Sequence, residues 1–436
     1  MSAAELKSYT SYKKSGAEWM GDIPEHWNFT RIKNVISKIT SGVTPRGGAD
    51  SYVDVGIPFL RSQNVYNDGL HLDDVSFISA GTHLEMMNSQ VKPGDIVFNI
   101  TGASIARTCI VPETIKTANI SQHIALLRLS KLNETKFISY YLQSQLVKDY
   151  VYLTQSGASK EAFNHGQMKC IPLPLPPRLE QKSIIAYLDI KTSQIDRQIE
   201  QLSKQVSHYE ELRQSLINET IVRGLDKSVP MMDSGVKWIG EVPQAWTLQR
   251  HKDNFHFVTD RCVDASLLKV GLENIEGQTG RFIQTDSEFD GDGVEFKTND
   301  ILFGKLRPYL AKVYLAEFIG NAVGDIFVYR PKKTFTPRFA KYLMLSDRYI
   351  DVINGSTAGA KMPRVSSDFI ANLPIATPPV SEQIAIATYL ARKTAQVDRI
   401  VEAINSKIDK LGDLRKALIN DVVTGKIRVV SEGQAT

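Results

Sequence analysis

The chain has 436 residues with 52 Lys plus Arg against 48 Asp plus Glu, a net charge of +4, so two or three ordinary globular domains fit and no strongly basic or acidic character is present. No run of eighteen apolar residues occurs, and the opening MSAAELKSYTSYKKSG has no apolar core behind its lysines, so neither a membrane span nor an export signal is expected. Cys109, Cys170 and Cys262 stand far apart without a CxxC, which argues against a disulfide framework or structural zinc and for a reduced, cytoplasmic protein.

The chain is an internal duplication. SGAEWMGDIPEHWNFTRIK from Ser15 returns from Ser234 as SGVKWIGEVPQAWTLQRHK, with Trp19 and Trp27 reappearing 219 positions later as Trp238 and Trp246. A second block, PPRLEQKSIIAYLDIKTSQIDRQIE from Pro176, returns 202 positions later as PPVSEQIAIATYLARKTAQVDRIVE. The order is A, B, A′, B′: residues 1–175, 176–226, 227–377 and 378–430. Between equivalent landmarks A′ is 17 residues shorter, and nine of these are lost before Asn274, where the first copy carries the loop SGVTPRGGAD ahead of Asn64.

In chain order, the head of block A reads as a structural plug rather than a stacking platform, since tryptophan buries a large area. The runs over 95–100 and 124–129 read as strands, with counterparts over 301–303 and 326–329, and 137–150 and 339–352 read as helices. Gly- and Ser-rich stretches at 101–104, 156–160 and 355–359 read as surface loops. Block B reads as a long helix after a Pro-Pro pair, with Ser381 able to cap the second copy. Ile195, Ile199, Leu202, Val206, Tyr209, Leu212 and Leu216 form a seam near heptad spacing, repeated 202 later as Val397, Val401, Ile404, Ile408, Leu411, Leu414 and Leu418. The fold class is α+β: two mixed α/β globular units joined by two long helices, about 60 Å each, closing as an antiparallel coiled coil.

Catalytic motifs are missing. There is no GxxxxGK[ST], HExxH, GxSxG or strand-borne GxGxxG, and neither Pro-Pro pair fits an adenine methyltransferase motif. Asp286, Asp290, Glu295 and Lys297 loosely resemble a nuclease ExK set, but the first copy has Gln90-Val91-Lys92 there, so a solvated turn is preferred. The eight histidines show no ligand spacing shared by both copies. Charge is spread evenly, 17 basic to 15 acidic over 1–175 and 19 to 18 over 227–377, so weak nucleic-acid affinity is expected of the chain alone. The loops nevertheless offer side chains that read base edges, because Arg suits guanine and Asn or Gln suits adenine. In the first copy these are Arg46, Arg61, Gln63, Asn64, Thr101, Ser104, Arg107, Ser159 and Lys160. In the second they are Asn274, Lys305, Arg307, Lys361 and Arg364.

The duplicated order, the WxGxxPxxW heads, the GDIVF strand, and PLPPRLEQKSIIAYLD with PIATPPVSEQIAIATYL resemble the specificity subunit of type I restriction-modification enzymes. The resemblance covers nearly the whole chain. It implies that 1–175 and 227–377 are target recognition domains reading two halves of a bipartite, asymmetric double-stranded DNA site, and that 176–226 and 378–430 are spacer helices docking two methyltransferase subunits. It further implies a non-catalytic chain with no cofactor of its own. S-adenosylmethionine, ATP and Mg would belong to the methyltransferase and restriction subunits. The competing readings are a protein-binding scaffold whose coil merely dimerises and, more remotely, a self-contained nuclease.

Overall fold

The computed structural model describes residues 8–130, 134–154, 162–285, 289, 291, 293–359 and 361–429. They gather into two compact units that cut across the linear blocks: unit 1 joins residues up to Gln201 to those from Lys407, and unit 2 runs from Leu202 to Ser406. Each unit thus holds one A block and half of each long helix.

In unit 1 the apolar runs become the inner strands of a four-stranded antiparallel sheet, ordered Thr108–Ile110, Ile96–Asn99, Ile124–Leu129 and Ile36–Ser41. Both faces of the inner strands are covered, which is why they read as unbroken apolar stretches. Ile96, Phe98, Ala125 and Leu127 face the core shared with the helices, whereas Val97, Ile124 and Leu126 face a second cluster. A five-stranded sheet follows in the order Gln90–Val91, Ala118–Ile120, Ile57–Leu60, Ser76–Ile78 and Tyr52–Val53. Residues in excess of the second copy form the turn Gly48–Ser51 and the edge strand Tyr52–Val53. The chain enters this loop through Gly42, where an added Cβ would lie 1.9 Å from the Ile120 carbonyl oxygen. Gly42→Ala is therefore expected to push the following loop aside and to destabilise unit 1 by about 2 kcal/mol, read as lower hydrogen-exchange protection of Ile96–Asn99; unchanged protection would contradict the close approach.

Unit 2 repeats the plan. Its four-stranded sheet runs Phe255–Val258, Ile326–Pro331, Ile301–Gly304 and Val313–Leu315. A three-stranded sheet of Lys269–Val270, Gly320–Ala322 and Val294–Phe296 keeps the parallel pairing that Ile57–Leu60 makes with Ala118–Ile120 in unit 1. The helices expected over 137–150 and 339–352 are each two, Thr135–Gln143 with Gln145–Thr154 and Pro337–Leu345 with Asp347–Gly355. Ser144 and Ser346 break them in extended backbone; the Ser144 hydroxyl accepts the Val147 N–H, and the Ser346 hydroxyl donates to the Leu343 carbonyl.

Ahead of each central strand Gly94 and Asn299 adopt φ of +82° and +74°, and the next residue is a buried aspartate. Arg128 holds Asp95 by two 2.7 Å bonds, and Arg330 holds Asp300 at 2.8 and 2.7 Å. Each carboxylate also accepts a turn N–H, from Lys92 at 2.9 Å and Lys297 at 2.7 Å. The GDIVF signature is thus a buried ion pair closing a turn.

The long helices span Arg178–Arg223 and Val380–Val423. Val380 opens the second, so Ser381 stands inside the first turn and does not cap it. The Glu-Gln pair at each helix start has a physical reason. Glu180 accepts the Trp27 indole N–H at 3.1 Å and the Tyr9 hydroxyl at 2.6 Å, and Glu382 accepts the Trp246 indole N–H at 3.0 Å. Gln181 accepts the Glu134 N–H and donates to the Pro176 carbonyl, and Gln383 does the same with Thr336 and Pro378. Trp27 and Trp246 are the plugs, 0% and 2% exposed; Trp19, by contrast, is 39% exposed against Tyr150.

Within each unit the helix halves run antiparallel. Arg415 meets Asp196 at 2.9 Å in unit 1, and Arg213 meets Asp398 at 3.6 Å in unit 2. These two pairs are images of one another under the 202-residue step. The expected seam is corrected at one position in each copy: Leu212 and Leu414 are exposed, 48% and 54%, because the adjacent Arg213 and Arg415 turn inward to the facing aspartates. Ile184 and Leu188 share the unit 1 core with Ile419, Val422 and Val423, and Ile217, Ile221 and Val222 share the unit 2 core with Ile386 and Leu390. Past the helix ends, Gly224 and Gly425 adopt φ of +71° and +78°, with Gly425 pressed on Pro24 and Trp27. Among the described residues no helix is long and apolar enough to cross a membrane.

Candidate nucleic-acid interface

The sequence-selected side chains fall into two groups, those that build turns and those that face outward. Asn64 and Asn274 belong to the first. Both are buried. Each Oδ1 accepts an N–H three residues back, from Arg61 and Gly271, both at 2.9 Å. Each Nδ2 donates across the turn, to the His71 carbonyl at 3.0 Å and to the Ile283 carbonyl at 3.1 Å. With amide oxygen and nitrogen both committed to the protein, these asparagines hold their neighbours in place and present no free edge.

In unit 1 the neighbours so held are Arg61 and Gln63. Gln63 donates to an Asp74 carboxylate oxygen, and Arg61 donates to the Asp74 carbonyl at 3.2 Å. Arg107 lies 4.7 Å over the Tyr66 ring, which stacks on His71 at 4.1 Å, so cation and two rings form one layered surface. Asn99, at the end of the central strand, donates to the Ser62 carbonyl at 2.8 Å and to the Ser104 hydroxyl at 3.0 Å, tying those two loops together. A further polar row joins Thr44, Gln122, His123 and Thr101: Thr44 to Gln122 at 2.9 Å, Gln122 to His123 at 3.3 Å, and His123 to Thr101 at 2.6 Å. Arg46, two residues after Thr44, is exposed. Ser159 and Lys160 lie outside the described residues. Sequence reasoning passed over Gln122, His123 and Asn99, although a polar residue at the lip of an apolar strand run was a signal that could have found them.

Unit 2 brings Lys305, Arg307 and Arg364 together by backbone pairing. Arg307 N donates to the Pro363 carbonyl at 2.8 Å, Leu306 bridges Arg364, and Val365 N donates to the Lys305 carbonyl at 3.2 Å. Residues 305–307 therefore lie alongside 363–365. Arg307 takes a left-handed φ of +49° and is exposed, as is Lys361. Asp325, which sequence reasoning missed, lies among them. Arg364 grips it with Nε and a terminal nitrogen at 3.0 and 2.9 Å, and the Lys305 ammonium stands 3.8 Å away. The Arg364 guanidinium, with Lys305 adding to it, holds the Asp325 carboxyl below its ordinary range against the opposing effect of burial. Asp325 precedes the strand Ile326–Pro331 as His123 precedes Ile124–Leu129, so one position carries a carboxylate in one unit and an imidazole in the other.

Among the described residues no group of three or more His, Cys, Asp or Glu side chains stands together as metal ligands would. Glu295 lies in the strand Val294–Phe296 and Lys297 just beyond it, while Asp286 and Asp290 fall outside the described residues. The two rims differ in chemistry: unit 1 offers an amide, hydroxyls and an imidazole fixed by internal bonds beside its cations, and unit 2 offers cations around a carboxylate.

A family model described as type I restriction modification DNA specificity domain matches residues 24–206. The chain is 21% identical over 429 residues to the type I restriction enzyme MjaVIII specificity subunit of Methanocaldococcus jannaschii, covering 93% of this chain and 94% of the relative. It is 20% identical to the EcoKI specificity subunit of Escherichia coli K12, covering 93% and 90%. A solved chain from work on complex assembly and conformational transition of the type I restriction-modification system shares the fold, with a TM-score of 0.65 at 15% identity over 93% of this chain and 99% of that one.

Proposed function

Because the chain belongs to the specificity subunits of type I restriction-modification enzymes, we propose that it reads a bipartite, asymmetric site in double-stranded DNA and carries the catalytic subunits to it. The observation that supports this most directly is that two units of one plan present unlike side chains at equivalent strand ends, His123 with Gln122 and Thr101 in one and Asp325 with Arg364 and Lys305 in the other. Like scaffolds with unlike rims read unlike half-sites. Two methyltransferase subunits dock on the helices, restriction subunits complete the complex in the cytoplasm, and S-adenosylmethionine, ATP and Mg are held by those partners. The scaffold alternative is not favoured, since the relatives that match nearly end to end are restriction enzyme specificity subunits.

The direct test is single-molecule methylation mapping of a host carrying this chain with its methyltransferase, against the methyltransferase alone. A split adenine-methylated motif that needs this chain is the expected result; an assembled complex that leaves no new motif would reinstate the scaffold. A second expectation concerns the helices as a ruler, since half-sites about one DNA turn, about 34 Å, apart lie on one face of the duplex. Inserting one helical turn in both long helices, after Gln201 and after Ser406, should change the motif's spacer and leave both half-sites as they were. Altered half-sites would count against the ruler.

A further inference from the structure

In unit 2 the fork of Arg364 is already occupied. Its two nitrogens lie 3.0 and 2.9 Å from the two Asp325 oxygens, the side-on pairing in which a guanidinium also meets the two acceptors of a guanine edge. The pair is reachable, with the Arg364 side chain 47% and the Asp325 side chain 21% exposed, and Lys305 stays beside the carboxylate when the fork opens. Around it Arg307 and Lys361 are exposed, and Lys305 sits 3.8 Å from the same carboxylate while its ammonium lies 5.3 Å from the Phe327 ring. A phosphate approaching this patch meets Lys305, Arg307 and Arg364 with one carboxylate, and the carboxylate sits on the cation with the sharpest geometry. The equivalent position in unit 1 is His123, which bonds Thr101. Nothing in the shared fold therefore requires an acid there: Asp325 supports the turn through its backbone carbonyl, which accepts the Lys305 N–H at 2.9 Å.

We propose that Asp325 is a specificity-determining residue of unit 2: it keeps the Arg364 fork closed against non-cognate DNA and releases it to a guanine edge in the cognate half-site. This rests on the DNA-reading function proposed above. A non-cognate duplex offers phosphates, which the Asp325 charge repels, and base edges that do not present two acceptors at this point, so the carboxylate keeps the fork. A correctly placed guanine offers two acceptors in the fork's own geometry, without that repulsion.

The test uses the full chain assembled with its methyltransferase and two duplexes, one bearing the motif mapped by methylation and one with the unit 2 half-site scrambled. Asp325→Asn is expected to tighten binding to the scrambled duplex several-fold, to steepen its salt dependence by about one phosphate contact, and to lower the cognate-to-scrambled ratio about tenfold. Arg364→Ala is expected to weaken cognate binding about tenfold or more and leave scrambled binding nearly unchanged. The proposal falls if Asp325→Asn leaves the ratio unaltered, if both duplexes weaken equally with a lowered thermal midpoint, as a merely structural aspartate would give, or if Arg364→Ala leaves cognate binding intact. Failure of the underlying reading is seen separately, in a wild-type complex that prefers neither duplex.

Discussion

Replacing Asp300 with alanine is expected to lower the stability of unit 2 by about 3 kcal/mol. The carboxylate is 2% exposed, answers both forks of Arg330 and accepts the Lys297 N–H, so its loss removes three charge-assisted bonds at one stroke. Arg330 is left with a partly covered, uncompensated charge against the central sheet, and that desolvated cation, rather than the lost attraction, is the larger part of the cost. Because its side chain keeps 35% of its exposure, the lower end of the range for broken buried pairs applies. Hydrogen exchange of the strand Ile301–Gly304 reads the effect within unit 2, where a whole-chain melt would blend two units. Asp95→Ala should do the same to Ile96–Asn99. Protection unchanged in both strands would mean that the turn, closed by Gly94 or Asn299, needs no ion pair.

Acidification from pH 7 to pH 5 is expected to cost unit 2 about 2 kcal/mol through His251 alone. The ring is 1% exposed, stacked on Phe255 at 4.2 Å and edged by Tyr329 at 4.8 Å, and its Nε2 has no partner. Burial drives its pKa from 6.5 down to about 3. The unfolded chain takes up a proton below pH 6.5 that the folded one refuses until about pH 3, so the contribution is whole above pH 6.5 and drains as pH falls through that window. The equivalent residue in unit 1 is Ile32, fully buried and without a charge to acquire. His251→Ile should therefore flatten the acid limb of unit 2 stability between pH 7 and pH 5, followed by hydrogen exchange at the two pH values; a limb as steep as before would assign the acid sensitivity elsewhere.

Much of the architecture is legible in the residues. The 202- and 219-residue steps give the duplication, and the apolar runs at 96–99 and 124–129 give the inner strands because strands covered on both faces need no alternation. What stays hidden is decided by side-chain geometry. Leu212 and Arg213 are adjacent and both able to reach the seam, and only the facing Asp398 decides that the arginine turns in. Asn64 and Asn274 look like base readers by type, yet the turn they close consumes every polar atom they have. The candidate surface is legible in part. Lys305, Arg307 and Arg364 were visible as loop cations, whereas Asp325, 20 residues from Lys305 in the chain, is joined to them only by the fold.

The sharing of each long helix between units fixes an order of completion on the ribosome. Every residue of unit 2 lies between Leu202 and Ser406, so it can close as soon as that stretch has emerged. Unit 1 begins first but finishes last: until Ile419, Val422, Val423 and Gly425 arrive to cover Trp27 and Pro24, its apolar interior stands open for the rest of synthesis. A chain halted between the two points carries one finished unit and one exposed core, the kind of surface that chaperones and proteases detect, so the first unit is completed only by residues made after the second.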